Sequence, residues 1–508
     1  MTSWKNSNLT RRDTIRSAAG LMIAGAAGAC ARETGASSGA YEAAPTWMRL
    51  LGTSEQGGRD YAPSVEGEIP AGLRGSLYRN GPGLFERGAS SIHHLLDGDG
   101  LVQRLSFSDE GVRYQNKFVR TEKYEREEAS GKREFSTWTT RKSSNPFENL
   151  GGGITQSQAG VTVYPVHGKI LARDEVGPTY EIDAESLETL QNTPVGNGAA
   201  GASYKAHSKL DPKTGEWLIT GAEYGRFMKV HAAIYGPDMT LRRHLSFEVP
   251  RQVYFHDFIA TENHLIFVLH PCYLSVFPFL AGLKSLTDSF EWKGVDGNLI
   301  AVVSREGGEP RYFEAPGSYM WHALNAFETG DEIVTDFVSF DEPDHFIGQD
   351  ALFKNIMQGR MGRAEAAGKI RRNRMDLNTG KLSEEILDDG NHEFPMIDGR
   401  VAMARHRVGY FSYGGFGGFN SGLKRVDYET GAAETFDFGA LTHVGEPVFA
   451  EKPGGDIDEG WLIAQCLDGV SLKSFYAVFD AQSVGAGPIA KVLLDHHLPI
   501  SFHGGWKA

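Results

Sequence analysis

Asp211-Pro212-Lys213-Thr214-Gly215-Glu216-Trp217-Leu218-Ile219-Thr220 sets a tight-turn signal directly against a short apolar run. Asp, Pro and Gly each favour turn backbone for a separate physical reason. The run Glu216–Thr220 is too short for a stable helix and has the length of a buried strand. The same alternation of turn and run fills the chain on both sides. Short β-like runs fall at Gly75–Arg79, Gly160–Pro165, Lys169–Ala172, Leu265–Leu269, Leu299–Val303, Glu332–Val338, Val401–Tyr413, Trp461–Cys466 and Ser474–Phe479. Turns such as Asp97-Gly98-Asp99-Gly100 and Asp456–Gly460 separate them. Helical periodicity is scarce, and the segments that best carry it are Ala351–Arg360 and Leu280–Phe290.

Many short strands at near-regular spacing indicate an all-β sandwich, barrel or propeller. A single sandwich is too small for this length. Residues 46–508 show no break in composition, which fits one β-propeller domain that closes on itself and protects its strand edges. No repeat of fixed period is visible in the sequence. The 62 glycines among 508 residues suit an architecture made mostly of turns.

Composition excludes several other classes. The chain is 40% hydrophobic and 23% charged, so it is not disordered. Three cysteines, Cys30, Cys272 and Cys466, build neither a disulfide framework nor a paired-cysteine zinc site. The net charge of −14 argues against nucleic acid as a partner. Arg11 and Arg12 followed by a small-residue run to Cys30 resemble a twin-arginine export signal over residues 1–30. That reading predicts a periplasmic protein with a flexible linker over residues 31–45. Lipid anchoring through Cys30, or retention in the cytoplasm, are the alternatives. Loss of residues 1–30, which carry a net +3, leaves −17.

Four of the 17 histidines stand out by context. His207 lies in Ala-His-Ser-Lys-Leu-Asp-Pro, and His256 in Tyr-Phe-His-Asp-Phe-Ile-Ala. His322 lies in Met-Trp-His-Ala-Leu-Asn, and His503 in Phe-His-Gly-Gly-Trp. They are too far apart in sequence to share one helix, so only a closed structure could bring them together. Four neutral imidazoles can hold a first-row metal and leave two octahedral positions open. The adjacent pairs His93/His94 and His496/His497 are poor chelators, because neighbours on a strand face opposite ways. His231, His264, His270 and His392 are also set aside.

These four contexts resemble the iron-binding histidine motifs of the carotenoid cleavage oxygenase family, which includes stilbene-cleaving dioxygenases and a retinoid isomerase. Gly72-Leu73-Arg74-Gly75-Ser76-Leu77-Tyr78-Arg79-Asn80-Gly81-Pro82 and Leu95-Leu96-Asp97-Gly98-Asp99-Gly100 resemble further family motifs, in the same order. The resemblance covers residues 46–506. It implies a seven-bladed β-propeller with one Fe(II) on its axis, held by His207, His256, His322 and His503. A cap of loops and helices would shape an apolar tunnel. It also implies that Glu175, Glu393 and Glu446 accept hydrogen bonds from three of the imidazoles, leaving His207 without a glutamate. The implied reaction inserts O2 across a conjugated C=C bond and yields two carbonyl products. The iron would carry the oxygen chemistry, with no obligatory acid–base residue.

For the substrate, the resemblance points to a carotenoid or apocarotenoid, with a phenolic stilbene as the alternative. Stilbene-cleaving members bind a phenolic hydroxyl with a Tyr and a Lys. Tyr114 could stand for the Tyr, but Gln156 falls near the place of the Lys. The segment Cys272–Phe290 is too apolar for a free loop, and Leu280, Leu283 and Leu286 recur at helical spacing. In the family this region borders the tunnel mouth and often touches membrane. With no polybasic cluster, contact with lipid would be apolar rather than electrostatic. Two other classes share the scaffold: a propeller hydrolase built around Ca²⁺, and a polyene carrier that consumes no O2. An isomerase outcome at the same site is a further variant.

Overall fold

The turn at Asp211 behaves as its residues predict. The Asp211 carboxylate accepts from the Lys213 and Thr214 N–H groups at 2.9 and 3.2 Å. Gly215 takes φ +68°, a left-handed conformation that costs glycine nothing. The chain then enters the strand Trp217–Glu223, buried along nearly its whole length. The computed structural model describes residues 41–88, 90–152, 156–196 and 202–508. The export-signal reading of residues 1–30, with Cys30, and the linker reading of residues 31–40 lie outside these. Of Glu42 to Pro45, also read above as linker, only Ala44 is buried. Ala43 bridges Arg360, and the Met361 N–H donates to the Glu42 carbonyl at 2.7 Å.

The described residues form seven antiparallel blades around an axis. Blade 1 holds Gly75–Arg79, Asp99–Ser108 and Gly111–Phe118, and the C-terminal strand Gly504–Lys507 completes it. Blades 2 to 6 follow in chain order, and their innermost strands or strand starts are Thr162–Val166, Ser203–Leu210, Ile259–Ala260, Tyr319–Thr329 and His392–Met396. Blade 7 runs from Thr442–Glu451 outward and ends on the N-terminal strand Ser64–Gly67. The ring is therefore closed twice. The chain end pairs with Gly75–Arg79, and an early strand pairs with Ala490–Leu493. The C-terminal strand covers the inner edge of blade 1, and the early strand covers the outer edge of blade 7.

Apolar side chains fill each gap between successive blades. Trp217 and Leu171 pack between blades 2 and 3, Phe255 and Phe267 between 3 and 4, and Phe411 with Val338 between 5 and 6. A separate cluster caps the axis. It joins Trp47, Leu96, Trp138, Trp321, Phe346, Phe353 and Phe502.

The strand runs read from sequence match the blades to within a few residues, with one exception. Val401–Tyr413 is a strand only from Val408, because Asp398 caps a 3-10 turn over Gly399–Val401. The helical segments differ more. In place of a helix over Leu280–Phe290, a single turn spans Val276–Leu280, and Phe290 already begins a strand. Ala351–Arg360 holds only Leu352–Asn355 and a 3-10 turn that stops at the left-handed Gly359. The longest helix among the described residues, Glu122–Ser130, has no apolar stripe to reveal it. The Thr121 hydroxyl caps it by accepting from the Tyr124 N–H at 3.0 Å.

Candidate metal centre

Each of the seven blades sends one residue toward the same point. His503, His207, His256 and His322 come from blades 1, 3, 4 and 5, while Glu175, Glu393 and Glu446 come from blades 2, 6 and 7. The local reason is a repeated irregularity. The ladder slips between Tyr204 and Ser208 around His207, between Met320 and Ala323 around His322, between Glu393 and Met396, and between Val444 and Pro447 around Glu446. Such bulges release a residue from pairing and re-aim its side chain. His256 and His503 reach the axis differently, from irregular backbone just before their strands.

All four imidazoles are buried, and one nitrogen from each lies within 4.8 Å of the others. Among the described residues, no other group of three or more His, Cys, Asp or Glu donors gathers in this way. The His207 and His256 Nε2 atoms are 2.9 Å apart. His322 and His503 have ring centroids 4.5 Å apart.

Carboxylates fix three of the rings. His322 Nδ1 donates to Glu393 at 2.5 Å and His503 Nδ1 to Glu446 at 2.8 Å, while His256 Nδ1 lies 2.9 Å from Glu175 Oε1 and hydrogen-bonds the Tyr254 hydroxyl at 3.1 Å. With the proton on Nδ1, each Nε2 offers its lone pair inward. The fourth ring stands apart, as expected. His207 Nδ1 is 4.0 Å from Asp257, whose oxygens are taken by Lys209, the Ala323 N–H and the Phe258 N–H.

Electrostatics favour the neutral form at two of the rings. Burial pushes His207 and His503 well below the usual imidazole range, and the neighbouring imidazoles add to this. Burial also acts to lower His322, but Glu393 outweighs it and the net shift is upward. Burial would raise Glu175, yet His256 and Lys205 prevail and hold it at about 2. Glu446 is pushed up to about 7 by burial, against the pull of Arg79 and the Gly504 N–H.

The donor set fits a metal ion. His322 Nε2 is buried and has no hydrogen-bond partner among the described residues. Two Nε2 atoms facing each other at 2.9 Å are well placed to share a cation. An all-nitrogen set suits a first-row transition metal and not Ca²⁺, which takes oxygen ligands. This removes the basis for the calcium hydrolase alternative.

Two cavities meet the four rings. On the cap side lies a narrow apolar one of about 50 Å³, walled by Trp138, Trp321, Phe340, Phe353, Phe394 and Phe502. On the opposite side a cavity of about 560 Å³ runs along the axis past Lys209, Asp257 and Met403. Tyr114, the candidate phenol-binding residue, lines neither. It is fully buried between blades 1 and 7, against Tyr61, Tyr476 and His496. Its place on Gly111–Phe118, away from the innermost strands, keeps it from the axis. Gln156 is also absent from both walls. Sequence reasoning missed the aromatic residues around the cavity, Trp138 and Phe353 above all. Their signal was only that large aromatics sit in the irregular segments that form the cap.

A buried four-imidazole centre on a propeller axis, open to an apolar cavity, defines a non-haem metal oxygenase. The chain belongs to the retinal pigment epithelial membrane protein family, the carotenoid cleavage oxygenases, whose model matches residues 53–508. It is 26% identical over 473 residues to the apocarotenoid-15,15'-oxygenase of Synechocystis, covering 91% of this chain and 96% of that protein. It is 28% identical to the isoeugenol monooxygenase of Pseudomonas putida, over 87% of this chain and 94% of the relative. The cobalt-substituted Synechocystis oxygenase superposes with a TM-score of 0.84 at 26% identity, covering 91% of this chain and 99% of that one.

Proposed function

We propose that this protein is an Fe(II) dioxygenase that cleaves a conjugated C=C bond of a carotenoid or apocarotenoid into two carbonyl products. The observation that carries the reading is the convergence of four buried imidazoles, three of which, His256, His322 and His503, line an apolar, aromatic-walled cavity. Bound iron supplies O2 activation. The chain's own residues do the rest. Glu175, Glu393 and Glu446 hold three rings in the tautomer that presents Nε2. Trp321, Phe394 and Phe502 offer flat apolar walls that orient an extended alkene and exclude water.

The test is aerobic incubation of the Fe(II)-loaded protein with β-carotene, an apocarotenal, resveratrol and isoeugenol, followed by mass spectrometry. Aldehydes that carry label from ¹⁸O2 support the reading. Substrate isomerised without O2 uptake, or bound and returned unchanged, replaces it with an isomerase or a carrier.

One observation favours the second substrate reading, an oxygen-bearing aryl alkene. Trp138 lines the cavity, and its buried indole N–H has no acceptor among the described residues. A substrate hydroxyl or carbonyl would satisfy it. Trp138→Phe should then reduce kcat/KM about tenfold for the phenolic alkenes, the worth of one buried hydrogen bond. It should leave hydrocarbon substrates unaffected.

Membrane contact belongs to the same reading. Phe277, Leu280 and Leu283 are all exposed, and the Val276–Leu280 turn packs beside Phe147 and Leu150, which are exposed as well. The segment leads inward, since the Thr287 N–H donates to the Trp138 carbonyl at 3.1 Å. An apolar patch at that place would take a lipophilic alkene from a bilayer without a passage through water. Among the described residues no helix is long and apolar enough to cross a membrane. The twin-arginine pattern in residues 1–30 supports export to the periplasm.

A further inference from the structure

The three carboxylates behind the imidazoles do not share one environment. Glu393 accepts from His322 and from the Phe394 N–H and meets no Lys or Arg among the described residues. Glu446 meets the buried guanidinium of Arg79 at 2.7 Å. Glu175 meets a lysine. Lys205 Nζ donates to Glu175 Oε2 at 3.2 Å, where the Tyr254 hydroxyl also donates at 3.0 Å. The other oxygen, Oε1, lies 2.9 Å from His256 Nδ1, which the Tyr254 hydroxyl also meets at 3.1 Å.

Lys205 is buried, 4% exposed, and its ammonium lies 4.6 Å from the centre of the Tyr254 ring. It stands two residues before His207, within the same bulge of the innermost strand of blade 3. A buried lysine is costly unless it is paired. Here its pair is the carboxylate that orients a neighbouring blade's imidazole.

The charge count gives this placement a consequence. Three carboxylates around a dication would leave the centre net negative. Arg79 and Lys205 return it to net positive. A positive surround disfavours Fe(III) relative to Fe(II). We propose that Lys205 is a positioning residue of the metal centre, which clamps Glu175 beside Tyr254 and cancels its charge so that the bound metal stays ferrous. This rests on the metal-centre reading above.

The test compares Lys205→Met, Lys205→Gln and Lys205→Arg. The readouts are Co(II) uptake and the Fe(III)/Fe(II) midpoint potential of the iron-loaded full chain. Gln keeps a donor to Glu175 without the charge, and guards against a Met variant that fails to fold. Gln and Met should lower the potential, with Fe(III) favoured by about tenfold. That is the size expected for a unit charge about 10 Å away at an effective dielectric of about 20. Arg should restore the wild-type value. A wild-type potential in Lys205→Gln, or an equal shift in Lys205→Arg, overturns the assignment of Lys205 alone. A wild-type chain that takes up no Co(II) overturns the metal centre itself.

Discussion

Glu446→Gln and Glu393→Gln remove the same carboxylate charge from equivalent positions behind two imidazoles, yet they should differ sharply in stability. Glu446 accepts from His503 Nδ1 at 2.8 Å, Arg79 at 2.7 Å and the Gly504 N–H at 2.9 Å. An amide offers one oxygen to these three donors and turns its own NH2 toward one of them. Removing one partner of a buried ion pair costs about 3–5 kcal/mol. Arg79 keeps the Ser501 hydroxyl and the Phe502 and Glu446 carbonyls, so the cost should fall near about 3 kcal/mol. Glu393 has no cation to strand, and its loss should cost about 1–2 kcal/mol. Metal affinity should fall about 10–100-fold in both, since each frees a ligand ring from its acceptor. The assay is thermal unfolding with Co(II) titration at pH 8, where Glu446, pushed up to about 7, is ionised. Because burial raises this carboxyl in the folded chain, wild type gains stability as pH falls from about 7 toward 5 and the amide variant does not, so the gap between them should widen over that range. Equal stability of the two variants at pH 8, or wild-type Co(II) affinity in either, would refute the reasoning.

The remaining expectations concern the ligands, the surface and the acid limb. His256→Ala and His503→Ala should each lose metal and activity together while the propeller folds, and metal analysis of the purified variants decides this. Phe277→Asp combined with Leu280→Asp should abolish co-sedimentation with phosphatidylcholine vesicles and leave turnover of a detergent-solubilised substrate unchanged. Retained vesicle binding would remove the patch from substrate uptake. Glu328 is half-buried, and burial acts to raise its pKa. Bonds from His264, Thr261 and Asn263 outweigh burial and hold it at about 2. A carboxyl depressed in the folded state adds stability above its unfolded pKa and loses it as pH falls. The Tm gap between wild type and Glu328→Gln should therefore be full at pH 7 and narrow as pH falls from about 5 toward 2. A constant gap would contradict that pairing.

What could be read before the fold was known follows from the range of each interaction. Turn residues act over four or five positions, so Asp211–Gly215 and the strand after it were visible in the sequence. The seven blades carry no repeat because each gap is filled differently. Trp217 with Tyr235 fills one, and Phe255 with Phe267 fills another. Helices in the cap were misread because they span one turn and are held by tertiary contact. Leu280 and Leu283, at helical spacing, face outward instead of sharing a helix face.

The histidine contexts and their order along the chain were enough to name four candidate ligands, which the fold brings together, and three candidate carboxylate supports, because each motif is a local signature. The sequence alone could not say that Lys205 and Arg79 neutralise two of those carboxylates and leave Glu393 without a cation. It could not place Tyr114 between blades, or bring Trp138 and Phe353 to the cavity wall. Those facts depend on which blade lies beside which and on where the ladders slip. Both are decided when the C-terminal strand Gly504–Lys507 closes onto Gly75–Arg79 and fixes the geometry of the whole ring.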